Sequence, residues 1–251
     1  MCSSDLGRLS EDSSDAVIQY LKDNGLELKL IIETHAHADH LSGAQLLKKA
    51  FSGAQIAISE RITQVQEVFT ELFHLGHEVA SDGSQFDYLI KDFEEVEVAG
   101  FKVKALPTPG HTPACTSYLI GDAVFTGDAI FMPDFGTGRC DFPKGSANQL
   151  FKSITSQLYK LPDETKIFVG HDYQPGGREL KFETSVAEQK ETNIHLRADT
   201  TEREFVAFRE GRDAKLGAPK LLLPSLQVNI RGGRLPQPEA NGVSYLKLPL
   251  K

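Results

Sequence analysis

Four short apolar runs in this chain end in the same way. "LKLII" leads into "ETHAHADH", "VKALPTPG" into "HT", "AVFTG" into "DAIF", and "KIFVG" into "HDY". Each run reads as a strand, and each is followed at once by a histidine or an aspartate. Strand ends are where a sheet can aim several side chains at one point. Four such ends can gather His35, His37, Asp39, His40, His111, Asp128 and His171. Any one of these histidines, taken alone, is best read as a satisfied polar residue in a loop. The recurrence of the pattern is what points to a metal, and imidazole with carboxylate suits zinc, iron or manganese.

The rest of the pattern alternates helix and strand, which predicts an α/β layered fold. Ser14 and Asp15 are placed to cap a helix through "AVIQYLKDN", with Gly25 as its stop. "SGAQLLKKAF" and "RITQVQEVFTELFHLG" have helical spacing, and "AQIAIS" between them is a short strand. "EEVEVAGFKVKALPTPG" predicts two strands about Ala99-Gly100, and "TSYLIGDAVFTGD" a hairpin turning at Gly121-Asp122. "NQLFKSITSQLYKLPD" predicts a helix stopped by Pro162. After Arg178 the signal turns helical, with a capping box at Thr201 and Glu204. The Pro- and Gly-rich tail from Pro219 predicts an irregular wrap.

A chain of 251 residues with 40% hydrophobic and 25% charged residues is ordinary for a globular protein. A net charge of -8 argues against a nucleic-acid surface, which needs a basic patch. No apolar run reaches the length of a membrane span, and no secretory leader pattern is present. Cys2, Cys115 and Cys140 cannot all pair within one chain and show no CxxC spacing, which fits a reducing cytosol. The expected organisation is a single domain over 1–251, with a core from about 14 to 178 and a C-terminal wrap from about 179 to 251.

The order THxHxDH, a lone His after "PG", an Asp after "TG" and a His before an acidic residue resembles the metallo-β-lactamase superfamily. The resemblance runs from about Leu26 to Tyr173 and implies an αββα sandwich with the site at one edge of paired sheets. In its dinuclear members the first site would use His35, His37 and His111. The second would use Asp39, His40 and His171, with Asp128 bridging.

Within that superfamily "GDAIFMPDFGTGRCDFPKGSA" resembles the persulfide dioxygenases, in which a G-R-x-D-F run follows the strand before the Asp. "GHDYQPGG" and "PKLLLPSLQVNIRGG" are similar to the bacterial branch. This resemblance implies one Fe(II), held by His35, His111 and Asp128. Two histidines and a carboxylate on one face leave positions open for substrate and O₂. The implied reaction takes glutathione persulfide, O₂ and water to sulfite and glutathione, in the cytoplasm of a bacterium detoxifying sulfide. No nucleic acid or membrane takes part, and a homodimer is compatible. His37, Asp39, His40 and His171 then orient the ligands or form a second metal site.

By ligand count alone a dinuclear zinc thioester hydrolase like glyoxalase II is equally permitted. A catalytically silent metal-binding protein is the alternative of another class. Among neighbouring residues, Arg139 is placed to grip a carboxylate of glutathione or to pair with Asp141. Asp141 is placed to hold a ligand histidine, and Tyr173 to hydrogen-bond the bound persulfide or oxygen. Cys140, inside the motif, is either an oxidant sensor or a small buried residue, and Cys115 reads as buried. His74 and His77 read as surface or substrate-loop residues, and His195 as structural or exposed.

The start does not match the resemblance. The family opens with several strands, whereas here about 13 polar residues precede the first helix. "CSSDL" is also what a common sequencing adapter encodes in one frame. The expectation is a fragment that lacks its first strands, with residues 1 to about 6 not native.

Overall fold

The computed structural model describes residues 9–250, so the expected non-native start lies outside the described residues. Among them the helices are α1 (Asp12–Asp23), α2 (Ala44–Ala50), α3 (Ile62–Leu72), α4 (Ala147–Ser156), α5 (Val186–Thr192), α6 (Glu202–Asp213) and α7 (Leu222–Asn229). The strands are β1 (Leu30–Glu33), β2 (Gln55–Ser59), β3 (Tyr88–Ile90), β4 (Glu95–Val98), β5 (Phe101–Pro107), β6 (Thr116–Ile120), β7 (Ala123–Phe125), β8 (Lys166–Phe168) and β9 (Glu183–Ser185). The chain forms two compact units, one from residues up to Leu89 together with those from Gly217 onward, the other from Ile90 to Leu216.

The first unit carries a three-stranded sheet in the order β1-β2-β3, with β1 and β2 parallel from Leu30 opposite Gln55 to Glu33 opposite Ile58. Parallel strands need a crossover, and α2 supplies it. The central β2 is buried over Ile56, Ala57 and Ile58, as a strand covered on both faces should be. Ile62, Val65, Phe69 and Leu75 are also buried in this unit. The loop 34–43 therefore leaves the carboxyl end of β1, where open α/β sheets place their ligands.

The second unit carries a six-stranded sheet in the order β4-β5-β6-β7-β8-β9, antiparallel except between β7 and β8. Its core joins Leu150, Ile154, Leu158, Ile167, Leu196 and Phe205. Ser146 caps α4 by accepting from Gln149 N–H, and the Thr201–Glu204 capping box opens α6 as its sequence predicts. Ala99 and Gly100 both take positive φ in the tight turn between β4 and β5, and Gly121 does so in the next hairpin.

Four expectations need correction. Helix α1 starts at Asp12, with Glu11 at its N-cap making no side-chain bond, and Ser14 is buried inside the helix. Asp12 and Asp15 in the first turn favour the helix electrostatically without a cap. Helix α4 ends at Ser156, and a 3-10 turn over Leu158–Lys160 fills the distance to Pro162. Strand β9 pairs with β8 in a stretch expected to be helical. The tail is not irregular throughout, because α7 forms over Leu222–Asn229 with Pro224 in its first turn, where a missing N–H does no harm.

Candidate metal centre

In the first unit, the loop after β1 stacks its imidazoles. The His35 and His37 ring centroids are 4.2 Å apart, and so are those of His37 and His40. The Thr34 hydroxyl lies 3.0 Å from His35 Nδ1, and His35 is only 1% exposed. His37 Nε2 lies 3.3 Å from a Glu33 oxygen, while the Ser42 hydroxyl donates to the other oxygen. Burial works to raise the Glu33 pKa, yet the bond and charge of His37, the Ser42 bond and the His40 charge hold it below the usual carboxylate range. With Nε2 turned to Glu33, Nδ1 is the nitrogen that His37 can offer to an ion. One ligand atom each of His37, Asp39 and His40 lie within 4.8 Å of one another.

What fixes this loop is a residue that sequence reasoning missed. Asn229, at the end of α7, donates through Nδ2 to the carbonyls of His37 and His40, 2.8 Å each, and its Oδ1 accepts from Ser42 N–H at 2.9 Å. A lone asparagine far along the chain carries no signal that it serves a loop near the start.

In the second unit, Asp128 stands between two histidines. His111 Nε2 is 3.7 Å from Asp128 Oδ2, and His171 Nε2 is 3.7 Å from Asp128 Oδ1. The separation is too long for a hydrogen bond. It suits two ligands of one ion, because bonds of about 2.0–2.2 Å to a shared metal set their donor atoms roughly 3–4 Å apart. The ring of His111 is also in the right tautomer. Its Nδ1 lies 2.7 Å from the Arg139 carbonyl, which can only accept, so the proton is on Nδ1 and Nε2 is the ligand atom. Two glycines permit the packing. A Cβ on Gly138 would lie 1.9 Å from the Asp128 carbonyl oxygen, and one on Gly170 would lie 2.9 Å from Asp128 Oδ1. The donor set and spacing fit a divalent metal.

The remaining candidates fall out differently. The Arg139 guanidinium grips Asp141 at 2.6 and 2.5 Å, the ion pair rather than a poised substrate clamp. Asp141 is thereby engaged by Arg139, and the group at His111 Nδ1 is the Arg139 carbonyl. The Tyr173 ring is exposed, stacks on Phe135 at 4.2 Å and sits 5.8 Å from the His171 ring. Next to His171, Asp172 receives two bonds from Arg178 at 2.7 Å, which hold its carboxyl down to about 2. Cys115 and Cys140 are buried, and burial pushes the Cys140 thiol far up, which suits a packed residue and not an oxidant sensor. His74 and His77 face each other at 5.8 Å beyond α3, and His77 pairs with Glu78. His195 is buried and structural, its Nδ1 accepting from Thr137 N–H at 2.9 Å.

Helices and two sheets, with His/Asp clusters at strand ends that fit a metal, match a metallo-β-lactamase-type protein. The chain belongs to the metallo-beta-lactamase superfamily, whose family model matches residues 2–171. It is 50% identical over 245 residues to a protein named glyoxylase B2 from Dictyostelium discoideum, covering 97% of this chain and 84% of that one. It is 31% identical over 217 residues to the human mitochondrial persulfide dioxygenase ETHE1, covering 86% and 73%. The crystal structure of ETHE1 from Myxococcus xanthus superposes with a TM-score of 0.72 at 32% identity, covering 89% of this chain and 85% of that one.

Proposed function

We propose that the chain is an Fe(II)-dependent persulfide dioxygenase, working in the cytoplasm of a bacterium. It would convert glutathione persulfide, O₂ and water to glutathione and sulfite, with His35, His111 and Asp128 as the iron ligands. Bound Fe(II) would supply open coordination positions and a metal able to exchange electrons with O₂. The observation that carries the reading is the placement of Gly138–Phe142. The run that resembles persulfide dioxygenases lies against the ligands, with the Arg139 carbonyl on His111 Nδ1 and the Phe142 ring 6.4 Å from the His111 ring. The solved Myxococcus relative supports the same reading. Among this chain's own groups, the Arg139 carbonyl holds the His111 proton away from the metal. The Tyr173, Phe135 and Phe131 rings offer the thiol carrier an apolar wall beside His171.

A second reading is a dinuclear zinc thioester hydrolase. The 50%-identical relative named glyoxylase favours it, and so does Asp128, which presents one oxygen to each of two histidines. Metal content and turnover separate the two. On anaerobically purified protein we expect one iron per chain and O₂ uptake with glutathione persulfide. His111→Ala should abolish iron binding, while His40→Ala leaves most of it. Two zincs with thioester cleavage, or equal loss from both substitutions, would overturn the dioxygenase.

A further inference from the structure

The segment from Asp128 to Phe142 carries one of the proposed ligands and, through the Arg139 carbonyl, fixes another. Its hairpin-like start is held by its own backbone, with Phe131 N–H donating to Gly136 O at 2.8 Å and an isolated bridge between Ile130 and Thr137. Its end, at residues 137–140, is held by α6, some seventy residues later in the chain.

Arg209 and Asp213 sit one turn apart on α6, 1% and 6% exposed. Arg209 Nε and Nη2 donate to Asp213 Oδ1 at 3.1 and 2.7 Å, and Nη1 donates to the Thr137 carbonyl at 2.9 Å. The other Asp213 oxygen, Oδ2, accepts from Cys140 N–H at 2.7 Å. The pair therefore holds a backbone acceptor at 137 and a backbone donor at 140. Between these two points lie only Gly138, where a Cβ would collide with the Asp128 carbonyl oxygen, and Arg139, whose carbonyl holds His111 Nδ1.

A buried ion pair is a poor adhesive for its own sake. Apolar residues of the same volume often stabilise a fold as well or better, because two charges must be stripped of water to bury the pair. Here the polar atoms of the pair reach backbone groups on both sides of the carbonyl that orients a ligand. We propose that Arg209 and Asp213 are positioning residues of the metal centre. They hold residues 137–140 so that the Arg139 carbonyl keeps the His111 proton on Nδ1 and turns Nε2 to the ion. The proposal rests on the reading of His111 as a ligand.

The test compares the full-length parent with the double variant Arg209→Met/Asp213→Leu, which removes both charges together and keeps an apolar fill. Zn(II) affinity is read by competition with a chromophoric chelator, the coordination sphere by the visible spectrum of the Co(II) form, and the fold by thermal melting. We expect a lowered melting temperature, because the Thr137 carbonyl and the Cys140 N–H lose their buried partners, together with a changed Co(II) spectrum and Zn(II) binding weaker by about 10–100-fold, the range seen when groups that orient metal ligands are removed. Tyr159→Phe is the matched control, since it removes a buried hydroxyl that serves the Leu196 and Gln189 carbonyls and leaves 137–140 alone. It should lower the melting temperature and leave metal affinity unchanged. Zn(II) affinity within threefold of the parent in the double variant, or an equal loss in Tyr159→Phe, overturns the proposal. Should the double variant not fold, Arg209→Lys is judged by the same thresholds, because it keeps the charge and loses the fork. His111→Ala separates this proposal from the reading beneath it. If His111→Ala binds Zn(II) as the parent does, the ligand assignment fails. If it loses affinity and the double variant does not, only the positioning role fails.

Discussion

At the scale of single residues, the chemistry turns on which nitrogen of each ring carries the proton. The Arg139 carbonyl decides this for His111, and Glu33 decides it for His37. His195 shows the same logic without a metal. Its Nδ1 accepts from Thr137 N–H, so the folded protein holds the ring neutral. Burial first, and then the nearby charges of Arg209 and Arg212, lower its pKa from 6.5 to about 3. A histidine with a depressed folded pKa stabilises fully above its unfolded value, and that contribution is lost as pH falls from about 6.5 towards 3. Across that window the unfolded chain binds one more proton at this site, which is worth up to about 1.4 kcal/mol per pH unit. Urea unfolding of metal-free parent and His195→Gln at pH 7, 6 and 5 should give a shallower acid loss in the variant by about that slope. Parallel slopes would show that His195 titrates as in the unfolded chain. The residue types of the site were legible because histidine and aspartate recur after apolar runs. Their tautomers were not, because a backbone carbonyl 28 residues away from His111 leaves no mark on the local pattern.

At the scale of elements, the local signals were the legible ones. The β6–β7 hairpin, the Thr201 capping box and the Gly25 stop all follow from a few adjacent residues. Strand β9 and helix α7 were not legible, because each depends on a distant partner. Three residues of β9 become a strand by pairing with β8, and α7 sits in a stretch whose Pro and Gly read as irregular. Yet α7 supports the ligand loop, since Asn229 satisfies three backbone groups between His37 and Ser42 that lie 187 to 192 residues away in the chain. Asn229→Ala would leave those groups without their partner in a mostly buried place. Each such loss costs about 1–3 kcal/mol, so the variant should be less stable by at least about 2 kcal/mol in urea unfolding. Asn229→Asp keeps the acceptor for Ser42 N–H and loses both donors, so it should recover only part of that loss. Full stability in Asn229→Ala would mean that water replaces the side chain and that α7 does not fix the loop.

At the scale of the whole molecule, metal and fold are linked. An ion that binds the folded chain and not the unfolded one stabilises by mass action, by about 2.7 kcal/mol at a hundredfold excess over Kd. For a chain of this size that is a rise in melting temperature of roughly 5–10 °C. Net charge offers a competing explanation, because a surface at -8 gathers divalent cations without any site. The two predict different selectivity. A site of imidazole nitrogen and carboxylate oxygen favours zinc or iron, whereas calcium and magnesium prefer all-oxygen ligands. Thermal melting of chelator-treated protein should therefore rise with Zn(II) or anaerobic Fe(II) and stay nearly flat with equal Ca(II) or Mg(II). The selective part of the rise should disappear in His111→Ala, since His111 is held ready by the Arg139 carbonyl. An equal rise with all four ions, retained in that variant, would assign the effect to the acidic surface and leave the histidines without a metal to hold.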